Sequence, residues 1–153
     1  MILGLLIAGG VVVLVGTILA FVTTLVRAER AKIAALRHRL EAEGIRLDSG
    51  TVDVTIRMRD FHAPGLYEGR GFQGTRRQLV LTDQQLAILG GRPTFFTPRG
   101  ELRRWQVGVD GGRLRLVSDD PPGARGHVDL RISVPDAERW LTTLREAGCT
   151  LIE

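Results

Sequence analysis

This chain of 153 residues contains only one cysteine and one lysine. A single cysteine excludes an intramolecular disulfide, and a free thiol suits a reducing compartment. The other 20 basic residues are arginines, so two neighbouring arginines say little about function by themselves. The net charge is only +4, and acidic residues are interleaved with the basic ones. This pattern excludes the basic stripe of a nucleic-acid-binding protein.

Charge is also absent from the first 26 residues. About 20 mainly apolar residues are enough for a helix to cross the hydrocarbon core of a bilayer. We therefore predict a transmembrane helix over residues 1–26. A cleavable signal peptide is the main alternative, but no lysine or arginine precedes the apolar run and no small-residue cleavage site follows it. A buried core helix rarely extends so far without a charge.

A cluster of basic residues follows this segment directly. Positive charge next to a membrane span favours the cytoplasmic side. We therefore expect an inner-membrane protein that spans once, with its N-terminus outside and its C-terminal domain in the cytoplasm. Residues 27–47 should form a juxtamembrane helix and linker, because they are rich in helix formers up to Gly44. The juxtamembrane basic residues are Arg27, Arg30, Lys32, Arg37 and Arg39.

Small and apolar residues recur every seven positions in this part of the chain. Small residues in a span let two transmembrane helices approach closely, and apolar heptads favour a coiled coil. One interpretation is a parallel homodimer. The other is a helix that contacts only lipid and its own domain, because neither pattern is long. The homodimer would form through Gly9, Gly16, Ile33, Leu36 and Leu40.

The pattern changes after residue 47. Residues 51–60, TVDVTIRMRD, alternate apolar and polar side chains, which is typical of a half-buried strand. Turn signals separate six further strand-like segments: a weak one around Leu66 to Phe72, two in RQLVLTDQQLAILG about a turn at Thr82 to Gln84, and one each in ELRRWQVGV, RLRLVSDD and HVDLRISV. Residues 135–147 form an amphipathic helix that ends at Gly148. We predict a mainly-β (α+β) domain over residues 48–153, with a seven-stranded antiparallel sheet and one C-terminal helix. The absence of strand–helix–strand units excludes a parallel doubly wound sheet.

Residues Gly69 to Gly74, GRGFQG, match the dinucleotide-binding pattern G-x-G-x-x-G. That pattern holds a pyrophosphate only where a helix begins directly after it. Here an extended segment, TRRQLVLTD, follows instead. We therefore expect no nucleotide at this position, and we interpret the glycines as residues that permit a positive φ and a bend between two strands.

Seven strands and a final helix with a central tryptophan resemble the pleckstrin-homology fold, including its GRAM-like and bacterial relatives. The residues that carry the resemblance, within about residues 50–148, are QLVLTDQQLAIL and PDAERWLTTLREAG. The resemblance implies a half-open barrel that the helix caps, with Trp140 as its lid. It also implies anionic headgroups as candidate ligands, although the family's spaced lysine–arginine pattern is missing here and many members bind proteins. The corresponding anion-binding residues would be Arg57, Arg59, Arg70, Arg76 and Arg77.

No residues assemble a recognisable catalytic site. The three histidines lack the spacing of metal ligands, and no serine has the context of a nucleophile elbow. We therefore predict that the protein is not an enzyme, with no catalytic residues, no cofactor and no bound metal. The predicted function is a membrane-anchored binding or scaffold protein that presents its domain to a protein partner or to anionic lipid. The alternative is an accessory subunit of a larger membrane complex, contacting that complex through the transmembrane helix.

The loop RPTFFTPRG places Phe95 and Phe96 side by side. Such a pair either inserts into a bilayer interface or folds back onto its own domain. We favour the second interpretation, because exposed aromatic pairs are uncommon without a partner.

Overall fold

The computed structural model describes residues 23–24, 27, 31–32, 34–63, 67–90 and 93–152. For residues 67–70, 72 and 73 the description covers the backbone alone. The chain divides into two compact units, Met1–Leu40 and Glu41–Glu153. Residues 34–42 are helical. The predicted limits at residues 26 and 47 remain predictions.

The larger unit is built from short segments whose apolar side chains recur at every second residue. This period of two buries one side of each strand and exposes the other. The elements are β1 (Ile45–Ala63), β2 (Tyr67–Thr82), β3 (Gln85–Leu89), β4 (Phe95–Pro98), a 3₁₀ helix (Arg99–Arg104), β5 (Gln106–Asp110), β6 (Arg113–Asp119), β7 (Arg125–Ile132), the C-terminal helix (Ala137–Ala147) and β8 (Thr150–Leu151).

All eight strands belong to one sheet, in the order β4-β3-β2-β1-β7-β6-β5-β8. Neighbouring strands are antiparallel except for β5 and β8, which run parallel. The first four strands form one meander and β5 to β7 form another, and the pairing of β1 with β7 joins them. Since β1 is central and 19 residues long, it sets the position of the strands on both sides.

The inner side of the sheet carries the hydrophobic core. Side chains from β1 to β7 and from the C-terminal helix form a single buried cluster. Trp140, on the helix, is 2% exposed and belongs to this cluster, together with Leu144. The helix begins after Asp136, whose carboxylate accepts a hydrogen bond from the backbone N–H of Arg139, and it ends at Gly148 with φ of 121°. One helix therefore supplies the apolar surface that faces the inner side of the sheet.

The predicted mainly-β domain with one C-terminal helix is confirmed. The predicted number of seven strands, all antiparallel, is wrong. The sheet has eight strands and is mixed. The predicted second and third strands are one continuous strand, β2, because Gly71 and Gly74 are extended and pair with Met58 and Thr55 of β1. Two further strands, β4 and β8, were not predicted.

Strand β4 lies in the segment RPTFFTPRG, whose two prolines predict a loop. The prolines are compatible with a strand because Pro98 is its last residue and Pro93 precedes it, so neither interrupts the ladder to β3. Phe95 packs edge-to-face on Phe61 and on Trp105, with ring centroids 6.1 and 5.9 Å apart. Phe95 thus folds back onto the domain as expected, whereas its neighbour Phe96 is 37% exposed.

The predicted transmembrane helix is wrong: within the described part of the chain, no helix is both long and apolar enough to cross a membrane. The described helical residues of this part of the chain are 23–24, 27, 31–32 and 34–42, and from residue 27 onward they include charged side chains. The single-pass topology, the inner-membrane localisation and the membrane as a partner are corrected with it. Residues 1–22, 25 and 26 of the predicted span lie outside the described residues.

The predictions attached to that span lose their support as well. Of the juxtamembrane basic residues, Arg30 lies outside the described residues and the other four are exposed. The homodimer is unsupported: Gly9, Gly16 and Ile33 lie outside the described residues, while Leu40 is buried.

Candidate protein-binding surface

The outer side of β1, β7 and β6 is rich in arginine. Along each of these strands the apolar residues point into the core, so the alternate positions point outward. Val54, Ile56 and Met58 of β1 are buried in this way, and the arginines between and after them are exposed. We call this surface the arginine face. Its arginines are Arg57, Arg59, Arg113, Arg115, Arg125 and Arg131.

Part of the arginine face is neutralised by aspartates on the same strands. Arg115 donates two hydrogen bonds to Asp129, of 3.1 and 2.8 Å. These bonds raise the pKa of Arg115 above its ordinary value, because they favour the charged guanidinium. Arg131 lies 3.0 Å from a carboxylate oxygen of Asp110. The centre of the face is therefore a lattice of alternating charges in which several side chains are held in place.

Charges of both signs lie on and around the face. Its six arginines are accompanied by five aspartates, which leaves one positive charge in excess: Asp53 and Asp60 of β1, Asp110 of β5, Asp119 of β6 and Asp129 of β7. Asp119 is bonded to the Nδ1 of His127 at 2.6 Å. Within the described residues, the side chains of Arg59 and Arg125 make no hydrogen bond or ion pair. Both lie at the same end of the face, where β1 ends and β7 begins, so this end carries two guanidinium groups without an ion pair among the described residues.

A β-bulge shapes this end of the face. The register between β1 and β7 shifts after Arg59, and Asp60 adopts a positive φ of 50°. Gly126 lies against it with φ of 95°, and a Cβ at Gly126 would lie 2.1 Å from the carbonyl oxygen of Asp60. The bulge inserts one extra residue and thereby keeps His62 exposed while Phe61 and Ala63 stay buried. Only glycine allows the two strands to approach so closely at this position.

An apolar cavity opens beside the bulge. Its volume is about 390 Å³, and its lining is mainly aromatic and aliphatic, with one carboxylate, that of Glu101. Glu101 is already engaged, at 3.4 Å from Arg104. The apolar lining includes Phe61, Ala63, Phe95, Phe96, Pro122 and Ala124. The cavity is therefore suited to an apolar group and not to a phosphate.

The five arginines predicted to bind an anion do not come together. Arg57 and Arg59 lie on the arginine face, whereas Arg76 is exposed near Asp53, 3.9 Å away. Arg77 points inward: it is 1% exposed, and its Nη1 donates a hydrogen bond to the carbonyl of Pro93. Burial lowers the pKa of Arg77 to about 10. The side chain of Arg70 lies outside the described residues.

Sequence reasoning missed four members of the arginine face, those on β6 and β7. Their signal was present in the segments RLRLVSD and RGHVDLRI, where arginine, histidine and aspartate occupy every second position except that of Val117. Because β1, β6 and β7 pair side by side, three such alternating segments produce one charged surface. The pairing of β1 with β7 joins residues that are 63 to 78 positions apart, from His62 with Arg125 to Val54 with Ile132, and no local pattern reveals it.

The remaining candidate sites are accounted for by the fold. The pattern Gly69 to Gly74 lies inside strand β2, so no helix begins after it. Contrary to our interpretation, Gly74 has no positive φ. Cys149 is buried, and burial raises the pKa of its thiol from 9.0 to about 12. In the described part of the chain, no three metal-ligating side chains are grouped closely enough to hold an ion.

No family model matches this chain, and no curated protein matches it. Among solved structures it is similar to "Vav1 inhibited by an allosteric inhibitor: Vav1 inhibitors block GEF activity", with 19% identity and a TM-score of 0.40. The similarity covers 71% of this chain and 28% of that chain. It therefore concerns part of a larger protein, and at this TM-score it supports no inference about ligand or activity.

Proposed function

We propose that residues 41–153 form a binding domain that holds a protein partner through an acidic segment lying on the arginine face. The observation that carries the proposal is that Arg59 and Arg125 lie at the same end of the face and make no ion pair within the described residues. Guanidinium groups bind carboxylates in defined geometry, often through two hydrogen bonds, as Arg115 already does with Asp129. An external carboxylate would meet the same chemistry at Arg59 and Arg125.

The arrangement of charges favours an acidic protein segment over a uniform polyanion. Asp110, Asp119 and Asp129 interrupt the arginines, and each would repel a continuous row of phosphates. Single-stranded nucleic acid also requires aromatic side chains for base stacking. The outward positions of β1, β6 and β7 within the described residues carry no phenylalanine, tyrosine or tryptophan. A peptide with carboxylates at intervals meets neither difficulty.

The narrower assignment to a bacterial, GRAM-like type of pleckstrin-homology domain remains part of this proposal. Its support is the resemblance of the segments around Thr82 and Trp140, together with the two meanders and the C-terminal helix. We also propose the role of a scaffold, because the chain offers a binding surface and we propose no catalytic residue in it. The accessory-subunit alternative required a transmembrane contact and has no observation in its favour.

The test measures binding of the full-length chain to a fluorescein-labelled peptide of alternating glycine and aspartate. In an extended peptide this alternation places every carboxylate on one side. We expect the double variant Arg59→Glu, Arg125→Glu to bind about tenfold more weakly, since it replaces two attractions by two repulsions. A control with the same change in net charge is Arg103→Glu, Arg139→Glu, which alters two exposed arginines outside the face, on the 3₁₀ helix and on the C-terminal helix. This control should bind within about twofold of the unaltered chain, because exposed charges at a distance are screened.

Two results would count against the proposal. Equal losses in both double variants would mean that the peptide senses net charge and not the arginine face. Tighter binding to single-stranded DNA or to anionic lipid vesicles than to the peptide, at the same salt concentration, would mean that the class of partner is wrong.

A further inference from the structure

On the outer side of the sheet, each of the two arginines without an ion pair among the described residues lies opposite a histidine. Arg59 of β1 pairs with His127 of β7. Two residues along β7, Arg125 pairs with His62 of β1. Side chains at such opposite positions lie side by side, with Cβ atoms about 4.5–5.5 Å apart. His127 is therefore a neighbour of Arg59 across the strands and of Arg125 along its own strand.

Asp119 of β6 determines which nitrogen of the His127 ring carries the proton. The Nδ1 of His127 lies 2.6 Å from a carboxylate oxygen of Asp119. Because a carboxylate can only accept hydrogen bonds, the ring donates from Nδ1–H. In a neutral ring the other nitrogen, Nε2, then has a lone pair and no proton. The side chain is 33% exposed and Nε2 makes no hydrogen bond to the described residues, so Nε2 is available to a ligand.

Protonation of His127 reverses what Nε2 does to a carboxylate. A lone pair at Nε2 repels a carboxylate that lies beside Arg59, whereas the Nε2–H of a charged ring donates a charge-assisted hydrogen bond to it. Histidine is the residue type that ordinarily changes its charge between pH 5 and pH 8. The aspartates of a flexible peptide stay ionised over that range. A change of pH in this range therefore acts on the site and not on an acidic ligand.

The fixed charges around His127 nearly offset one another. They are Arg57, Arg59 and Asp60 on β1, Asp119 on β6 with Asp120 after it, and Arg125 and Asp129 on β7, and His62 is the other titratable group. The carboxylate of Asp129 is engaged by Arg115, and that of Asp120 accepts a hydrogen bond from the backbone N–H of Gly126 at 2.7 Å. With so little excess charge of either sign, one further positive charge on the ring increases the attraction for a carboxylate substantially.

We infer that His127 is a third binding residue at this end of the arginine face, and that it contacts the partner's carboxylates only when its ring is protonated, so that acidic pH tightens binding. This inference rests on the proposed function, since it concerns the same acidic segment. Arg59 and Arg125 hold the segment at both neutral and acidic pH, and His127 adds a contact beside them at acidic pH. Asp119 is a positioning residue, because it orients the ring and does not touch the partner.

The experiment measures binding of the unlabelled glycine–aspartate peptide to the full-length chain by calorimetry. It is done at pH 8 and at about pH 5.5, near the two ends of the range in which histidine titrates, and at equal ionic strength. We expect binding to be about fivefold tighter at the lower pH, the scale of one added charge at a solvent-exposed contact.

Three variants assign this ratio of affinities to His127. His127→Gln is uncharged at both pH values, so the ratio should fall below about twofold, at the weaker affinity. His127→Lys is charged at both pH values, so the ratio should fall in the same way but at the tighter affinity. His38→Gln is the control, because it removes an exposed histidine outside the sheet, and it should leave the ratio at about fivefold.

A second measurement tests the role of Asp119 without a ligand. Nitrogen NMR of the imidazole rings in the full-length chain at pH 8 should place the proton of the neutral His127 ring on Nδ1. In Asp119→Asn this preference should weaken, because an amide can donate as well as accept. A proton on Nε2 in the unaltered chain would overturn the inference, since Nε2 would then be a donor at neutral pH as well.

The binding outcomes separate the two proposals. If the peptide binds equally tightly at both pH values, the inference is overturned and the arginine face stands. If His127→Gln keeps the full ratio, the inference is also overturned, and loss of the ratio in His62→Gln would then assign it to the other histidine. If the peptide binds at neither pH, the proposed function fails and the inference fails with it.

Discussion

On the inner side of β2, Arg77 is 1% exposed and donates a hydrogen bond to the carbonyl of Pro93. On the outer side of β6, Arg115 makes two hydrogen bonds to the carboxylate of Asp129. Burial lowers the pKa of Arg77 to about 10, whereas the bonds to Asp129 raise the pKa of Arg115. An arginine side chain is thus held by a neutral carbonyl on the inner side of the sheet and by a charged carboxylate on the outer side.

The difference between these two regions separates structural arginines from those available to a ligand. An inward arginine uses its donors within the fold and is inaccessible to a partner. An outward arginine on β1, β6 or β7 belongs to a surface that still has charge to offer. In a chain with 20 arginines, the side of the sheet on which an arginine lies indicates whether it can bind a ligand. The number of arginines in a segment does not.

The largest expected effect tests the inner side at Trp140. Replacing Trp140 by alanine should destabilise the domain by about 3–5 kcal/mol, the range for large aromatic truncations in a core. The control is Phe96→Ala, which removes an aromatic ring that is 37% exposed and should cost much less. Chemical denaturation of both variants measures the difference. A decrease of less than about 1 kcal/mol in the free energy of unfolding of Trp140→Ala would mean that Trp140 does not cover the core as a lid.

The second prediction sharpens the contrast between adjacent arginines on β2. Arg77→Glu places a carboxylate, which can only accept hydrogen bonds, against the carbonyl oxygen of Pro93. We expect a loss of about 3 kcal/mol or more, because an uncompensated charge remains in the interior. Arg76→Glu changes an exposed residue and should stay within about 0.5 kcal/mol. Equal losses in the two variants, measured by urea unfolding, would break the distinction between inner and outer arginines.

The third prediction concerns the strength of the outer lattice. A double-mutant cycle with Arg115→Met and Asp129→Asn should give a coupling energy of about 1–2 kcal/mol, since the two hydrogen bonds are charge-assisted and Asp129 is 6% exposed. The pair Arg104 and Glu101, 3.4 Å apart and exposed, serves as the comparison and should give about 0.5 kcal/mol or less. A coupling near zero for Arg115 and Asp129 would mean that the lattice does not hold these side chains in place.

The smallest effect at neutral pH concerns Cys149, at the end of the C-terminal helix. Because burial raises the pKa of its thiol from 9.0 to about 12, the reactive thiolate is scarce in the folded chain. We expect labelling with a thiol reagent at pH 8 to be slower by about two orders of magnitude or more than in denaturant. Labelling at equal rates would place Cys149 at an accessible position.

The same shift makes stability depend on alkaline pH. A raised folded-state pKa stabilises the fold fully below pH 9, and this contribution is lost as the pH rises from 9.0 to about 12. The variant Cys149→Ala lacks the thiol and should therefore lose less stability than the unaltered chain between pH 9 and pH 10.5. Parallel losses in the two proteins would show that other groups cause the alkaline dependence.

The sequence predicted correctly those elements whose complete signal lies within one short segment. The alternation in TVDVTIRMRD lies within β1, the residues Thr82 to Gln84 connect β2 to β3, and Asp136 and Gly148 flank the C-terminal helix. In each case one short segment contains the complete signal. The direction of Arg77 was not predictable in the same way, because the glycines before it conceal the period of two in β2.

The elements that were missed depend on tertiary contacts. Leu102 and Trp105 are both buried, and a turn of 3₁₀ helix places them together where a strand was expected. Strand β8 has two residues and exists because Thr150 and Ile152 donate hydrogen bonds to the carbonyls of Trp105 and Val107, each at 3.0 Å. The arginine face required the order of strands in the sheet, which the sequence does not state. The candidate site was therefore less predictable than the fold that carries it.

The two ends of the sheet have a consequence for how the protein behaves at high concentration. An open sheet edge offers unpaired backbone groups to the edge of another molecule, which is a route to aggregation. At one end Pro98 removes a donor from the short strand β4, and at the other end the two residues of β8 cover the edge of β5. Because β8 is itself too short to be a long template, both ends present little backbone to a neighbour. The fold therefore limits fibre-like stacking without closing its sheet.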